Sequence, residues 1–172
     1  MKTKAIPSSW LHLNGLRFDC GPYMSGAFEA KIRLNQISCK KEKLSDLTSG
    51  YNGGIFNGPQ FSRNYVNNPE FGVPFLGSSS MLRADLSTIG LLRRADAISP
   101  KLSYLRVLPG MTLISCSGTI GRMVYARPDM DGMWTSQHIM KVVPDPLKVR
   151  SGYIYAFLSS KFGVPLVTSG TY

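Results

Sequence analysis

Pro109-Gly110-Met111-Thr112-Leu113-Ile114-Ser115-Cys116-Ser117-Gly118-Thr119-Ile120-Gly121-Arg122-Met123-Val124-Tyr125-Ala126 decides how the chain is read. Pro109-Gly110 makes a turn, and Met111 to Cys116 is a short apolar run of strand length. Such a run, bounded by turn residues, reads as a buried strand. Ser117-Gly118-Thr119 turns the chain, and Ile120 to Ala126 carries it back. The stretch is therefore expected to be a hairpin. Gly118 and Gly121 would serve its turn, while Ile114, Ile120 and, further on, Ile139 would face a core.

Downstream, Asp129-Met130-Asp131-Gly132 is another turn, and Trp134 to Val143 is strand-like. Ser151 can cap a last helix in which Tyr153, Ile154, Phe157 and Leu158 form one apolar face. Gly163 would end that helix, with Pro165 beyond it. Upstream, Ser99 is a cap and Pro100 the first residue of a short helix. Phe71 to Leu76 reads as a strand that Pro74 confines to an edge or a bulge. Residues 50–70, rich in Gly, Asn and Pro, form a long loop or several linked turns, and a loop of that length usually has a function. Lys43 to Leu47 makes one helical turn stopped by Ser49-Gly50. Phe28 to Ile37 alternates partly and fits a short strand or a helix end, and the first 25 residues show no clear period. The expected class is α+β: a single compact domain over 1–172 with a twisted mixed or antiparallel sheet, a few short helices and long polar loops.

Twenty Lys and Arg stand against ten Asp and Glu, a net charge of +10. That balance suits a polyanionic partner, nucleic acid before an acidic membrane. The excess is dispersed, since the densest cluster is only Lys40-Lys41-Glu42-Lys43. Residues 51–100 net +1, and the blocks on either side net +4 each. Apolar runs fall well short of the ~20 residues of a membrane span, and Ile6-Pro7-Ser8-Ser9 opens no signal-peptide core. Cys20, Cys39 and Cys116 are far apart and form no CxxC pair, which fits a reducing cytoplasm better than a disulfide framework.

Catalytic patterns are thin. Ser117 to Gly121 has the look of a phosphate loop but lies between strands, where no helix N-terminus meets an anion. Pro144-Asp145-Pro146-Leu147-Lys148 lacks the second carboxylate of a metal-dependent nuclease. Asp129-x-Asp131-Gly132 lacks the distal Glu of a calcium loop. Cys116 and His138 could be argued into a nucleophile and base, but a strand cysteine is more often a small core residue. The expectation is a non-catalytic chain with neither cofactor nor metal. What remains is base-reading chemistry: arginine pairs bidentately with guanine, and Asn or Gln with adenine. Gln60, Arg63, Asn64, Asn67 and Asn68 crowd the long loop, with Phe61 and Tyr65 interleaved. Ser79, Arg83, Arg93, Arg94 and Lys101 follow in the next irregular stretch.

Four strings carry a resemblance. Tyr65-Val66, Phe71-Gly72-Val73-Pro74-Phe75-Leu76 and Ser78-Ser79-Ser80-Met81-Leu82 look like the "YxxxPFL…SSDM" stretch of type I restriction-modification specificity (S) subunits. The hairpin 109–122 is similar to that family's "PGDxLISxSGTIGR". Ser136-Gln137-His138-Ile139-Met140-Lys141-Val142-Val143-Pro144-Asp145 resembles its "SQHIMRVxPD". Gly152-Tyr153-Ile154-Tyr155-Ala156-Phe157-Leu158-Ser159-Ser160 resembles its "GYLYAFLSS", followed by Gly170-Thr171-Tyr172 for "GTYG". Leu16-Arg17-Phe18-Asp19 and Tyr23 are similar to its "RLD…YY" start. Met111 replaces the usual acidic residue, and Ser80 the usual Asp.

The resemblance implies one target recognition domain, reading half of a bipartite double-stranded DNA site. It also implies docking with methyltransferase (M) and restriction (R) subunits, to which AdoMet, ATP and magnesium belong. No heptad run appears before Tyr172, so the coiled-coil helix of such subunits is not included. A different class stays open: a protein-docking module for the methyltransferase subunit, with weak DNA affinity alone.

Overall fold

A computed structural model of the chain describes residues 3–169. In chain order its α-helices are α1 (Ser8–Leu13), α2 (Gly21–Met24), α3 (Ala27–Gln36), α4 (Arg94–Ala97), α5 (Ser151–Leu158) and α6 (Gly163–Thr168). Its strands are β1 (Ile55–Asn57), β2 (Tyr65–Val66), β3 (Gly72–Leu76), β4 (Leu91–Arg93), β5 (Thr112–Ser115), β6 (Met123–Tyr125), β7 (Trp134–Thr135) and β8 (Ile139–Val142). The class is α+β. The chain forms two compact units: a sheet unit over residues 42–155, and a helical unit over 1–41 with 156–172.

The sheet unit is organised by the hairpin, as its turn residues imply. Every residue of β5 is buried, and β5 pairs antiparallel with β6, Leu113 opposite Val124. Gly118 (φ 68°) and Gly121 (φ 81°) take the left-handed backbone that only glycine adopts without strain. Ser115 Oγ ties the turn together, donating to the Thr119 carbonyl and accepting from the Arg122 amide at 3.1 Å. Ile114 and Ile139 are buried as expected, whereas Ile120 is half-buried.

Two sheets form where one was expected. The first, β1-β8-β5-β6, is antiparallel throughout; the second runs β2-β4-β3-β7 and pairs β3 with β7 in parallel. The 134–143 run supplies a strand to each. After β7, the Ser136 amide still donates to Leu76 at 3.2 Å, but Ser136 Oγ then accepts from the His138 amide and the chain turns into β8. The polar Ser-Gln-His step is the switch. Residues 50–70 also differ from a plain loop: 3-10 turns at Tyr51–Gly54 and Pro69–Phe71 flank β1 and β2, which edge the two different sheets.

Pro74 lies in an inner strand, between β4 and β7. The next amide, Phe75 N, donates toward β4 (Gly90 O, 2.9 Å), so the Pro74 nitrogen faces the β7 side. Pairing with β7 begins only at Phe75, and no ladder hydrogen bond is lost. Ser99 has the extended backbone of a cap, but its side chain makes no cap bond, and Pro100–Leu105 is a 3-10 segment.

Two apolar clusters fill the sheet unit. One gathers Leu76, Met81, Leu113, Met130, Met133 and Ile139 among others; the second contains Val73, Phe75, Leu92, Ala97, Leu105 and Trp134. Methionine suits the first cluster because unbranched side chains fill the irregular gaps left by short strands and turns. Met111, standing for an acidic residue, is buried and accepts from the Leu108 amide through Sδ at 3.4 Å. Ser80 closes its own turn, accepting from the Gly77 amide at 2.9 Å.

In the helical unit, the stretch at 28–37 is helix α3 rather than strand, and the aperiodic first 25 residues contain α1 and α2. Phe28 packs on Trp10 (5.0 Å between ring centres) and Tyr23 (5.7 Å). The Tyr23 hydroxyl donates to Arg17 O at 2.7 Å. Gly163 does not end a helix but opens α6, with Pro165 in the first turn, where a missing N–H costs nothing. On α5, Ile154 and Leu158 are buried while Tyr153 is exposed. The Gly170-Thr171-Tyr172 string lies outside the described residues. No helix among the described residues is long and apolar enough to cross a membrane.

Charge divides unevenly. The helical unit carries eight basic and two acidic residues, and the sheet unit twelve and eight.

Candidate nucleic-acid interface

Strand β2 places Tyr65 at the edge of the second sheet, with Arg63 and Asn64 immediately before it. The Tyr65 ring meets Phe75 edge-on at 6.2 Å and covers Gly90, where a side chain would come within 3.1 Å of the ring. It nevertheless stays 58% exposed. The Arg63 guanidinium lies 5.2 Å from the Phe75 ring and 6.0 Å from that of Phe61. The rings thus hold a cation at the sheet edge without neutralising it.

Backbone pairing brings β4 alongside. The Arg93 amide donates to Asn64 O at 2.7 Å. Arg93 then reaches forward to Asp96 with Nε (3.0 Å) and Nη2 (2.6 Å), and Asn64 Nδ2 donates to the same carboxylate at 2.8 Å. The Arg93 and Asn64 hydrogen bonds hold the Asp96 carboxyl below its ordinary pKa. Arg94 turns the other way and donates to Gly72 O at 3.2 Å.

Two open grooves flank Arg94 and Ile98. One, of about 620 Å³, is lined by Val66, Phe71, Arg93, Arg94, Ala95 and Ile98. The other, of about 480 Å³, includes Val73, Ser99, Arg106 and Trp134. Apolar floors with guanidinium rims suit the sugar edge and thymine methyl on one side and phosphate or guanine on the other.

Of the residues singled out from sequence, Asn64 and Arg93 meet at Asp96 with Arg94 beside them, whereas Arg63 and Tyr65 lie against Phe75 on the opposite face of the same sheet. Gln60, Ser79, Arg83 and Lys101 are exposed, and their side chains make no hydrogen bond or ion pair among the described residues. Several participants escaped the sequence reading. Arg127 pairs with Asp129 (3.0 and 2.8 Å) and donates to Arg83 O and Ala84 O, pinning the loop that carries Arg83. Arg106 pairs with Asp131 at 3.3 Å. The two carboxylates with a calcium-loop look are therefore each taken by an arginine. No group of three or more His, Cys, Asp or Glu placed to hold a metal occurs among the described residues. Arg127 to Asp129 and Arg93 to Asp96 are close opposite charges visible in sequence, and that spacing is the signal that could have found them.

Lys141 is the second omission. It counted in sequence as one of the dispersed positives, yet it is fully buried on β8. Its Nζ donates to Tyr104 O and, at 3.0 Å, to Arg106 O, and sits 5.3 Å from the Phe56 ring. Tyr51 stacks on Tyr104 at 3.9 Å over the same spot. Burial pushes the Lys141 ammonium down to about 7. The lysine fixes the carbonyls on both sides of Leu105, at the end of the segment whose Ser103 and Arg106 line the smaller groove.

Cys116 and His138 meet through backbone, the Cys116 amide donating to His138 O at 2.8 Å. Cys116 Sγ instead faces Ile114 O at 3.6 Å, and burial pushes the thiol pKa up. Cys20 and Cys39 are exposed. A limiting thiol reagent at neutral pH is expected to label both before Cys116, followed by mass spectrometry. Equal labelling of all three would contradict the partial burial of Cys116.

Comparison with protein-family models and with curated proteins finds no match for the chain.

Proposed function

We propose that the chain recognises double-stranded DNA by sequence, reading one half of a bipartite site for a type I restriction-modification complex in the cytoplasm. The observation that carries this reading is the meeting of Asn64 and Arg93 on Asp96 beside two arginine-rimmed grooves, with Arg63 and Tyr65 presented on the other face of the same sheet. The four sequence strings similar to specificity subunits add to it. In this reading the dispersed Lys and Arg hold phosphates, the edge residues meet base edges, and the hairpin is scaffold. The chain itself does no chemistry; M and R subunits are its partners and supply methylation and cleavage.

Selection of bound duplexes from a random pool tests this. The full chain is expected to enrich one short motif, with log affinity falling steeply against log salt. Arg63→Ala is expected to cost roughly 1–3 kcal/mol at one base position if the arginine reads guanine. An equal loss on every sequence would assign Arg63 to phosphate. A shallow salt slope with no enriched motif would overturn DNA reading.

A second reading is favoured by one feature of the helical unit, where Phe18 is 79%, Leu13 68% and Leu16 53% exposed. Large apolar side chains left in water fit a protein surface. In this reading the chain docks a methyltransferase subunit and binds DNA weakly alone. Phe18→Ser would then weaken that association without altering duplex binding.

A further inference from the structure

Asp96 lies between Asn64 and Arg93, where a carboxylate opposes the approach of DNA. A negative charge there raises the free energy of every phosphate contact nearby, whatever the sequence. Its hydrogen bonds show what it does instead. It takes the inner edge of the Arg93 guanidinium, Nε at 3.0 Å and Nη2 at 2.6 Å. A guanidinium held through Nε and one Nη2 hydrogen keeps its outer edge, both Nη1 hydrogens and the second on Nη2, free to donate. Among the described residues Arg93 makes no other side-chain hydrogen bond, and that side chain lines the larger groove with Val66 and Phe71. It is 51% exposed, whereas Asp96 is only 20% exposed beneath it.

Asn64 is held the same way. One Nδ2 hydrogen goes to Asp96, which leaves Oδ1 and the second Nδ2 hydrogen without a side-chain partner among the described residues. One carboxylate thus sets two planar groups at once, each with hydrogen-bonding groups still free. An outer guanidinium edge matches guanine O6 and N7, and a free carboxamide edge matches adenine N6 and N7. Both are otherwise flexible side chains, so fixing them beforehand removes ordering entropy from the binding step.

We infer that Asp96 is a positioning residue that sets Arg93 as a guanine reader and Asn64 as its neighbour's reader, making Arg93 rather than Arg94 the main specificity determinant of this edge. The inference rests on the DNA-reading proposal and assigns the reader within it. Arg94, bound to Gly72 O and shared between the two grooves, is left to phosphate.

The test compares the full chain with Asp96→Ala, Asp96→Asn and Arg93→Lys, each with its thermal unfolding recorded. Affinity is read on the duplex selected by the wild type, on all single-base variants of it, and on a random duplex. Removing a carboxylate that acts only by charge strengthens binding to every duplex alike. Removing a positioning carboxylate strengthens the random duplex but lowers discrimination at one guanine position, by roughly 5- to 150-fold, the equivalent of one bidentate pair. Arg93→Lys, which keeps the charge and loses the fork, is expected to lose discrimination at that same position with random-duplex binding unchanged. Discrimination preserved in both Asp96 variants, or lost at different positions in Asp96→Ala and Arg93→Lys, overturns the inference while leaving DNA reading intact. A wild-type chain that enriches no motif overturns both.

Discussion

Raising the pH from 7 to 9 is expected to add about 2 kcal/mol to the stability of the wild-type chain relative to Lys141→Met. The cause is a lysine buried with two carbonyls and an aromatic ring and, among the described residues, no carboxylate partner. Folding removes the ammonium from water, and burial lowers its pKa from 10.5 to about 7. Between those two values the unfolded chain binds a proton that the folded chain does not. Stability therefore rises with pH across this window, at up to ~1.4 kcal/mol per pH unit, and is lowest below the folded value. Cys116 opposes this trend, because its raised thiol pKa favours the unfolded chain once free thiols ionise. That effect is common to both proteins and cancels in the difference. Urea unfolding of the two proteins at several pH values measures it. Parallel stability curves would mean that the Tyr104 and Arg106 carbonyls compensate the ammonium fully and that it stays charged when folded. Either result bears on the candidate interface, because those carbonyls bracket Leu105 and lead into the wall of the smaller groove.

The same lysine shows what sequence makes legible here. The hairpin could be read because each part of its signal is local: an apolar run of strand length, turn residues, and glycines where the backbone must be left-handed. The β7–β8 run could not be divided by the same means. Trp134 to Val143 is continuous in strand propensity, and only long-range pairing, β7 with β3 and β8 with β1 and β5, assigns its halves to separate sheets. Pro74 points the same way: its tolerance depends on where a partner strand begins, which no neighbouring residue encodes. Lys141 sits in a strand string that resembles a family pattern with arginine at that place. Its burial follows from the distant 104–106 backbone.

For the candidate interface, residue type was informative and role was not. Twelve loop residues were singled out around the possible readers; Asn64 and Arg93 meet on Asp96, and Arg63 and Tyr65 on Phe75. Which cation is free and which is held was set by Asp96, a residue with no role in the sequence pattern, and by Asp129 and Asp131, which read there only as a calcium-loop likeness. Asp96, Asp129 and Asp131 each take an arginine, so the sheet unit's twelve basic residues present far less free charge than their number implies. Buried Lys141 subtracts another. Net charge is low over residues 51–100, and the helical unit, with eight basic residues against two acidic, carries the larger excess.

Gly163→Ala is expected to destabilise the helical unit by about 3 kcal/mol, whereas Gly152→Ala is expected to leave stability unchanged or raise it by up to ~1 kcal/mol. Both glycines belong to helices, although Gly163 reads in sequence as a helix stop. Around Gly152 nothing lies within 4 Å of where a Cβ would stand, so alanine there only reduces the freedom of the unfolded chain and improves helix propensity. At Gly163 the same atom would fall 2.5 Å from Leu158 Cα and closer still to the carbonyl oxygens of Phe157 and Leu158. These are backbone atoms of the α5 C-terminus, which no rotamer change can move aside. Ser160 fixes the approach, its Oγ accepting from the amides of Phe162 (3.1 Å) and Gly163 (3.2 Å). Inserting a methyl group must therefore either open this turn or shift α6 away from α3, against which it packs. Thermal unfolding of both variants beside the wild type measures the contrast. Equal melting temperatures for the two would place Gly163 in a turn loose enough to absorb a Cβ, and the α5–α6 corner would then not be the rigid element its contacts describe.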